Sequence, residues 1–144
     1  MKLTAKGRYA VMAVADLAAQ GDNACESLSA IGTRQGISVT FLEQLFAKLR
    51  RAGLVDSVRG AQGGYRLAKA ASDISLDSII HAVNAQPKAH GCTPEDRLGC
   101  TGKSDRCLTH SLWGALETHI EGFLAGITIE DVIQDRLPIL EAAE

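Results

Sequence analysis

The chain has 144 residues, a mass of 15.2 kDa, a formal net charge of -2, and 46% hydrophobic and 22% charged residues. This length suits one domain, or one small domain with an appendage, and the ordinary composition excludes collagen-like and largely disordered chains. No apolar run approaches the ~20 residues of a bilayer span, and the charged start Met1-Lys2-Leu3-Thr4-Ala5-Lys6-Gly7-Arg8, followed by Asp16, does not read as a signal peptide, so a cytoplasmic location without a membrane partner is expected.

Thr4 is a candidate N-cap for a helix over residues 5–20, with Tyr9, Met12, Ala13, Val14 and Leu17 on its buried side. Gly21-Asp22-Asn23 ends it. A short second helix is anchored by Leu28 and Ile31, capped by Ser29 and stopped by Gly36. A third begins near Ser38 or Thr40. Thr40 with Glu43 three positions on fits a capping box. Phe41, Leu42, Leu45, Phe46 and Leu49 form an apolar stripe at helical spacing, and Gly53 sits just past the end. Two short helices joined by a turn containing Gly36 make a helix-turn-helix pattern. It places Ser38, Thr40, Glu43 and Gln44 where such a motif reaches base edges in the major groove. Gln pairs bidentately with adenine, and Glu accepts from the cytosine amino group.

Leu54-Val55-Asp56-Ser57-Val58 alternates apolar and polar residues, as a half-buried strand does. Arg59-Gly60-Ala61-Gln62-Gly63 reads as a turn, and Gly64-Tyr65-Arg66-Leu67 as the returning strand. A hairpin directly after a helix-turn-helix makes a winged helix. Its thin glycine-rich tip can enter the minor groove, whose negative potential attracts Arg59. The same glycines do not suit a phosphate-cradling nucleotide loop, which should open a helix and carry Gly-Lys-Ser/Thr. Lys2, Lys6, Arg8, Arg50, Arg51 and Arg66 are candidates for phosphate contact. The charge distribution agrees. Residues 1–69 carry ten Lys/Arg against five Asp/Glu, whereas residues 70–144 carry five against twelve. A basic front half on an acidic whole suggests a polyanion partner for the front half alone.

In the back half Ser75 caps a short helix with Leu76, Ile79, Ile80 and Val83. Residues 85–106 show no periodicity. Ser104 or Asp105 is read as the start of the longest helix, which runs to about Ala125 with Leu108, Leu112, Ala115, Leu116, Ile120, Phe123 and Leu124 as one apolar stripe. That stripe is long for so small a chain, so part of it is expected to pack on a second subunit. Thr128 caps a last short helix with Ile129, Val132 and Ile133.

Cys92, Cys100 and Cys107 lie close together in sequence, and His110 follows Cys107 after two residues. In a cytosolic chain such a group points to metal or redox chemistry rather than to a disulfide framework. Three thiolates and one imidazole have the count for a tetrahedral metal or for a cluster with four protein ligands. Structural zinc usually closes on cysteines two to four residues apart. The wider gaps here favour an iron–sulfur cluster over zinc and leave a bare thiol switch open. Cys25 reads as a bystander, and His90, two residues before Cys92 and the one competitor ligand, as a loop residue, while His81 and His119 read as surface or core residues. No nucleophile motif, HExxH or carboxylate pair marks an enzyme.

Taken together, Leu3-Thr4-Ala5-Lys6-Gly7-Arg8-Tyr9-Ala10-Val11, Arg34-Gln35-Gly36-Ile37-Ser38, Phe41-Leu42-Glu43-Gln44-Leu45-Phe46, Leu54-Val55, Ser57-Val58-Arg59-Gly60, Gly63-Gly64-Tyr65 and Cys107-Leu108-Thr109-His110-Ser111-Leu112-Trp113 resemble the IscR family of iron–sulfur cluster regulators. The resemblance covers nearly the whole chain. It implies a bacterial homodimeric transcription factor carrying a [2Fe–2S] cluster on Cys92, Cys100, Cys107 and His110. It also implies base reading around Thr40, Glu43 and Gln44, a wing from Arg59 to Gly63, and dimer contact through the long helix. Its implied partners are a roughly palindromic double-stranded DNA operator and the iron–sulfur assembly machinery as cluster donor, with the assembly genes among its targets. Two features depart from the family. Ala61-Gln62 stand where its wing usually has Pro-Gly, and the gaps between cysteines are longer than usual.

The expected architecture is mostly α with a small β-hairpin wing. A winged helix-turn-helix occupies residues 1–72, and a cluster-binding loop with dimerisation helices occupies residues 73–144. The DNA-binding candidates are Lys6, Arg8, Ser38, Thr40, Glu43, Gln44, Arg50, Arg59, Gly60, Gln62 and Gly63. Two other classes remain: a winged-helix regulator with structural zinc or a thiol switch, and an iron–sulfur carrier.

Overall fold

A computed structural model describes residues 3–89, 100 and 106–138. Six α-helices and one hairpin appear among them: α1 (Ala5–Ala19), α2 (Leu28–Gln35), α3 (Val39–Arg51), β1 (Val55–Val58), β2 (Gly64–Leu67), α4 (Leu76–Ala82), α5 (His110–Ala125) and α6 (Ile129–Ile133). The strands pair antiparallel, with Val55 opposite Leu67 and Val58 opposite Gly64. This is the expected winged helix. None of the described helices is long and apolar enough to cross a membrane.

The helix starts follow from side-chain oxygens that accept from otherwise unpartnered backbone N–H groups. Thr4 accepts from Gly7 N, Ser75 from Ser78 N, and Thr128 from Asp131 N, as read from the sequence. Asp131 accepts in return from the Thr128 backbone, completing a capping box. Two caps differ from expectation. Ser27, not Ser29, caps α2 by accepting from Ala30 N at 3.1 Å. Ser38 caps α3, and the expected Thr40–Glu43 capping box is not formed because Thr40 already lies inside the helix. Gly36 (φ 67°) and Gly53 (φ 75°) turn the chain out of α2 and α3 in the left-handed region that glycine tolerates.

One buried cluster holds the described chain together. Ala13, Val14 and Leu17 of α1 meet Leu42, Leu45, Phe46 and Leu49 of α3, and Ile74, Ile79, Ile80 and Ile129 from the back half join them. Isolated pairing of Ser75 with Thr128 fastens the start of α4 to the start of α6. By contrast, α5 has no buried residue. Leu112, Trp113 and Phe123 are exposed along it. It also starts later than expected. Thr109 precedes its first turn, so its 16 residues span about 24 Å and Cys107 stands before the helix rather than on it.

Candidate nucleic-acid interface and metal-ligand site

The outer face of α3 follows from its periodicity. With Leu42, Leu45, Phe46 and Leu49 buried, Thr40, Glu43, Gln44, Ala47, Arg50 and Arg51 are left exposed on the opposite side. This face is polar and uncharged or acidic at its start and cationic at its end. The Ser38 hydroxyl accepts from Phe41 N at 3.2 Å, so its first task is capping. α1 delivers the other cations. Tyr9 meets Phe41 edge to face, with ring centroids 5.9 Å apart, which sets the α1 turn bearing Lys6 and exposed Arg8 beside the first turn of α3.

At the wing tip Arg59, Gly60, Ala61 and Gln62 are all exposed. Gly60 has φ 116°, and its carbonyl accepts from Gly63 N at 2.9 Å, which closes the turn. Glycine is needed at its base for space. A Cβ on Gly63 would stand 2.4 Å from the Val58 carbonyl oxygen, and one on Gly64 would stand 2.2 Å from that of Glu26. The first approach belongs to the hairpin turn itself, and the second exists because Glu26 pairs with Tyr65 as a one-residue bridge on the outer side of β2. Glu26 N donates to the Tyr65 carbonyl at 2.9 Å, and Tyr65 N donates back at 2.8 Å. Cys25, read as a bystander, puts its thiol 3.7 Å from the Gln62 carbonyl.

A polar knot missed at the sequence level lies behind this interface. Asp16 is buried among the apolar residues of α1. Arg34 Nε donates to both its carboxylate oxygens at 3.1 Å, Arg34 Nη2 donates to Oδ1 at 2.6 Å, and Gln35 Nε2 donates to Oδ2 at 2.7 Å. Arg34 Nη2 also reaches Glu26 Oε2 at 3.0 Å. Burial alone would raise the Asp16 pKa, but the hydrogen bonds from Arg34 and Gln35, with the charge of Arg34, hold it below the usual carboxylate value. The available signal was an Asp inside an apolar stripe, which requires a buried partner.

Of the four candidate ligands, Cys92 lies outside the described residues. Cys100 and His110 come together, with Sγ 2.9 Å from Nδ1. His110 N donates to the Cys107 carbonyl at 3.1 Å, but the Cys107 thiol stands 3.6 Å from the Thr109 hydroxyl. Thr109 also accepts from Trp113 Nε1 at 3.1 Å. Among the described residues no three His, Cys, Asp or Glu side chains gather closely enough to hold a metal ion. A soft thiolate beside an imidazole is nonetheless the donor chemistry that zinc and iron–sulfur clusters take. One metal bound by both would set them about 3.5 Å apart, given bonds of ~2.3 and ~2.0 Å in tetrahedral geometry. That is a small opening of the present contact, so this pair fits such a group.

Residues 3–135 match the family model described as Rrf2, iron-dependent transcriptional regulator. The chain belongs to the Rrf2 family of transcriptional regulators. It is 48% identical over 144 residues to the HTH-type transcriptional regulator IscR of Vibrio atlanticus (strain LGP32), covering 100% of this chain and 81% of that one. Among solved Rrf2-family structures, T. potens IscR is similar with TM-score 0.71 and 38% identity, covering 100% of this chain and 93% of that one. CymR, the global cysteine regulator of B. subtilis, gives TM-score 0.76 and 30% identity over 94% and 98%. The winged-helix fold of these relatives agrees with the helices and the two-stranded hairpin described above.

Proposed function

We propose that this Rrf2-family regulator binds a roughly palindromic operator as a homodimer, and that a [2Fe–2S] cluster held by Cys92, Cys100, Cys107 and His110 sets that binding. The observation that carries the reading is the Cys100–His110 contact at the start of α5, in a winged helix whose IscR relatives cover the whole chain. Residues 1–72 would form the DNA-binding part. Thr40, Glu43 and Gln44 face base edges, and Arg59, Gly60, Gln62 and Gly63 enter the minor groove. Lys6, Arg8 and Arg50 meet phosphates, while Ser38 holds the start of the reading helix. Residues 73–144 would bind the cluster and pair two subunits.

The cluster, when bound, would supply an occupancy that depends on iron and oxidants. The chain's own residues supply the link to DNA. His110 opens α5, and the Cys107 carbonyl accepts from the His110 N–H in that turn, so fixing these side chains fixes the start of the helix. The apolar residues Leu112, Trp113 and Phe123 along α5 suit burial against a second copy. Ligand and DNA binding are then linked by one coupling free energy, typically ~1–3 kcal/mol. Iron–sulfur assembly genes are the expected targets, and the assembly machinery the expected cluster donor in a cytoplasmic setting.

Anaerobic purification with iron, sulfide and zinc analysis, and operator binding before and after cluster removal, tests this. About two irons and two sulfides per chain, with DNA affinity changing on cluster loss, are expected. Stoichiometric zinc with unchanged DNA binding would replace the sensor with a structural metal. Cys92→Ala should abolish the cluster and leave a folded dimer.

A further inference from the structure

Among the described residues of the basic first 69, Arg34 is the one cation engaged in an ion pair. It sits in the last turn of α2 and joins buried Asp16 of α1 to Glu26, on the chain entering α2. Glu26 exchanges two backbone hydrogen bonds with Tyr65, and its carbonyl lies against Gly64 with no room for a Cβ. A hairpin of two four-residue strands does not hold its own position in water. The direction of this wing is therefore set by what grips its base. One grip is Phe46 of α3 against the Tyr65 ring, with centroids 4.9 Å apart. The other is Glu26.

We propose that Arg34 is a positioning residue for the wing: by holding the Glu26 side chain it fixes the Glu26–Tyr65 pair, and so the placement of Arg59 and Gln62 relative to α3. The proposal rests on the reading of those wing residues as DNA contacts. Asp16 keeps the guanidinium turned inward, with Nη2 shared between the two carboxylates, so Arg34 is occupied by the protein rather than by a phosphate. Loss of the Glu26 arm frees a side chain whose backbone forms the rung under the wing. The consequence is selective. Base preference beneath the wing declines, while base preference beneath α3, set by the core packing of Leu42, Leu45 and Phe46, does not.

The test uses the full chain and a duplex that the wild-type protein selects from a random-sequence pool. Base-pair substitutions along it are scored by affinity. Arg59→Ala marks the positions read by the wing, and Gln44→Ala those read by α3. Glu26→Gln keeps the Arg34–Asp16 pair intact. It is expected to lower discrimination at the wing positions about two- to fivefold, the range of a partly exposed ion pair, with no change at the α3 positions. The Tyr65 amide should exchange faster, and the salt dependence should stay that of the wild type. Unchanged discrimination in Glu26→Gln overturns the proposal, as does an equal loss at every position. Should Arg34→Gln remain folded, a uniform loss with a salt slope shallower by about one would make Arg34 a phosphate contact instead. A wild-type protein that enriches no sequence overturns the underlying DNA reading and the proposal with it.

Discussion

The rings of Phe46 and Tyr65 meet at 62° with centroids 4.9 Å apart, joining the element proposed for the major groove to the one proposed for the minor groove. Phe46 is fully buried on the inner face of α3. Tyr65 is half-buried in β2, where its backbone also pairs with Glu26. One aromatic contact thus serves both the core and the geometry of the interface.

Phe46→Ala is expected to cost about 3–5 kcal/mol of stability, the range for emptying a buried aromatic site. Phe46→Leu keeps most of the volume and forfeits chiefly the ring contact, worth about 0.5–1.5 kcal/mol. Urea unfolding followed by circular dichroism measures both. Equal losses in the two variants would mean that the edge-to-face contact, not volume, is what Phe46 provides, and no loss in Phe46→Leu would mean the reverse.

Two wing glycines should fail differently. At Gly64 a methyl group would meet the Glu26 carbonyl oxygen and the Ser27 amide, so Gly64→Ala must break the Glu26–Tyr65 rung. At Gly60 nothing lies within 4 Å, but φ is 116°, so Gly60→Ala carries backbone strain of about 1–3 kcal/mol and leaves the rung in place. Amide exchange at Glu26 and Tyr65 separates them. It should accelerate strongly in Gly64→Ala and little in Gly60→Ala. The reverse order would contradict the packing at the wing base.

Acid should loosen the helix-turn-helix through Asp16. Its pKa is lowered in the folded protein despite burial, because Arg34 and Gln35 stabilise the carboxylate. A depressed carboxylate adds stability that is complete above its unfolded value of 3.8. That stability is lost as the pH falls below 3.8 toward the folded value. Asp131, lowered by hydrogen bonds from the Thr128 backbone and hydroxyl, adds to the same slope. Denaturant midpoints measured from pH 6 to 2 should therefore fall most steeply below about pH 4. Asp16→Asn should flatten that fall. An unchanged profile in Asp16→Asn would remove the ion pair from the account of acid stability.

Much of this fold is legible in the sequence because its signals are local. Thr4, Ser75 and Thr128 each precede an apolar helical run, and Gly36 and Gly53 end theirs. The errors are also local. Leu28 has a serine on each side, and either hydroxyl could accept from the third residue on, so local sequence does not distinguish Ser27 from Ser29 as the cap. Ser38 and Thr40 posed the same ambiguity. The apolar spacing of Leu108 and Leu112 continues the helical pattern upstream of α5, whereas Leu108 is fully exposed and the chain turns at Cys107–His110. Contacts across the chain were not legible. The Arg34–Asp16 pair and the Glu26–Tyr65 rung depend on how helices and strands dock. For the metal-ligand residues, types and order could be read, whereas the meeting of Cys100 with His110 required the fold.

The division of labour along α3 gives the last prediction. Gln44 is exposed on the face that also carries Thr40, Glu43 and Ala47, nearly two turns beyond the Ser38 cap. Arg50 is exposed at the far end, where the helix is cationic. A bidentate contact to one base is worth about 1–3 kcal/mol of discrimination, whereas a phosphate contact adds affinity without reading sequence. Gln44→Ala should therefore weaken operator binding by roughly five- to 150-fold while leaving scrambled DNA nearly unaffected. Arg50→Gln should weaken both alike and make the logarithmic salt slope shallower by about one. Fluorescence anisotropy titrations at several salt concentrations, with both duplexes, read the two effects separately. If Gln44→Ala lowered binding to operator and scrambled DNA equally, the base-reading role of this face would be lost. The exposed polar start of α3 would then be no more than a solvated surface.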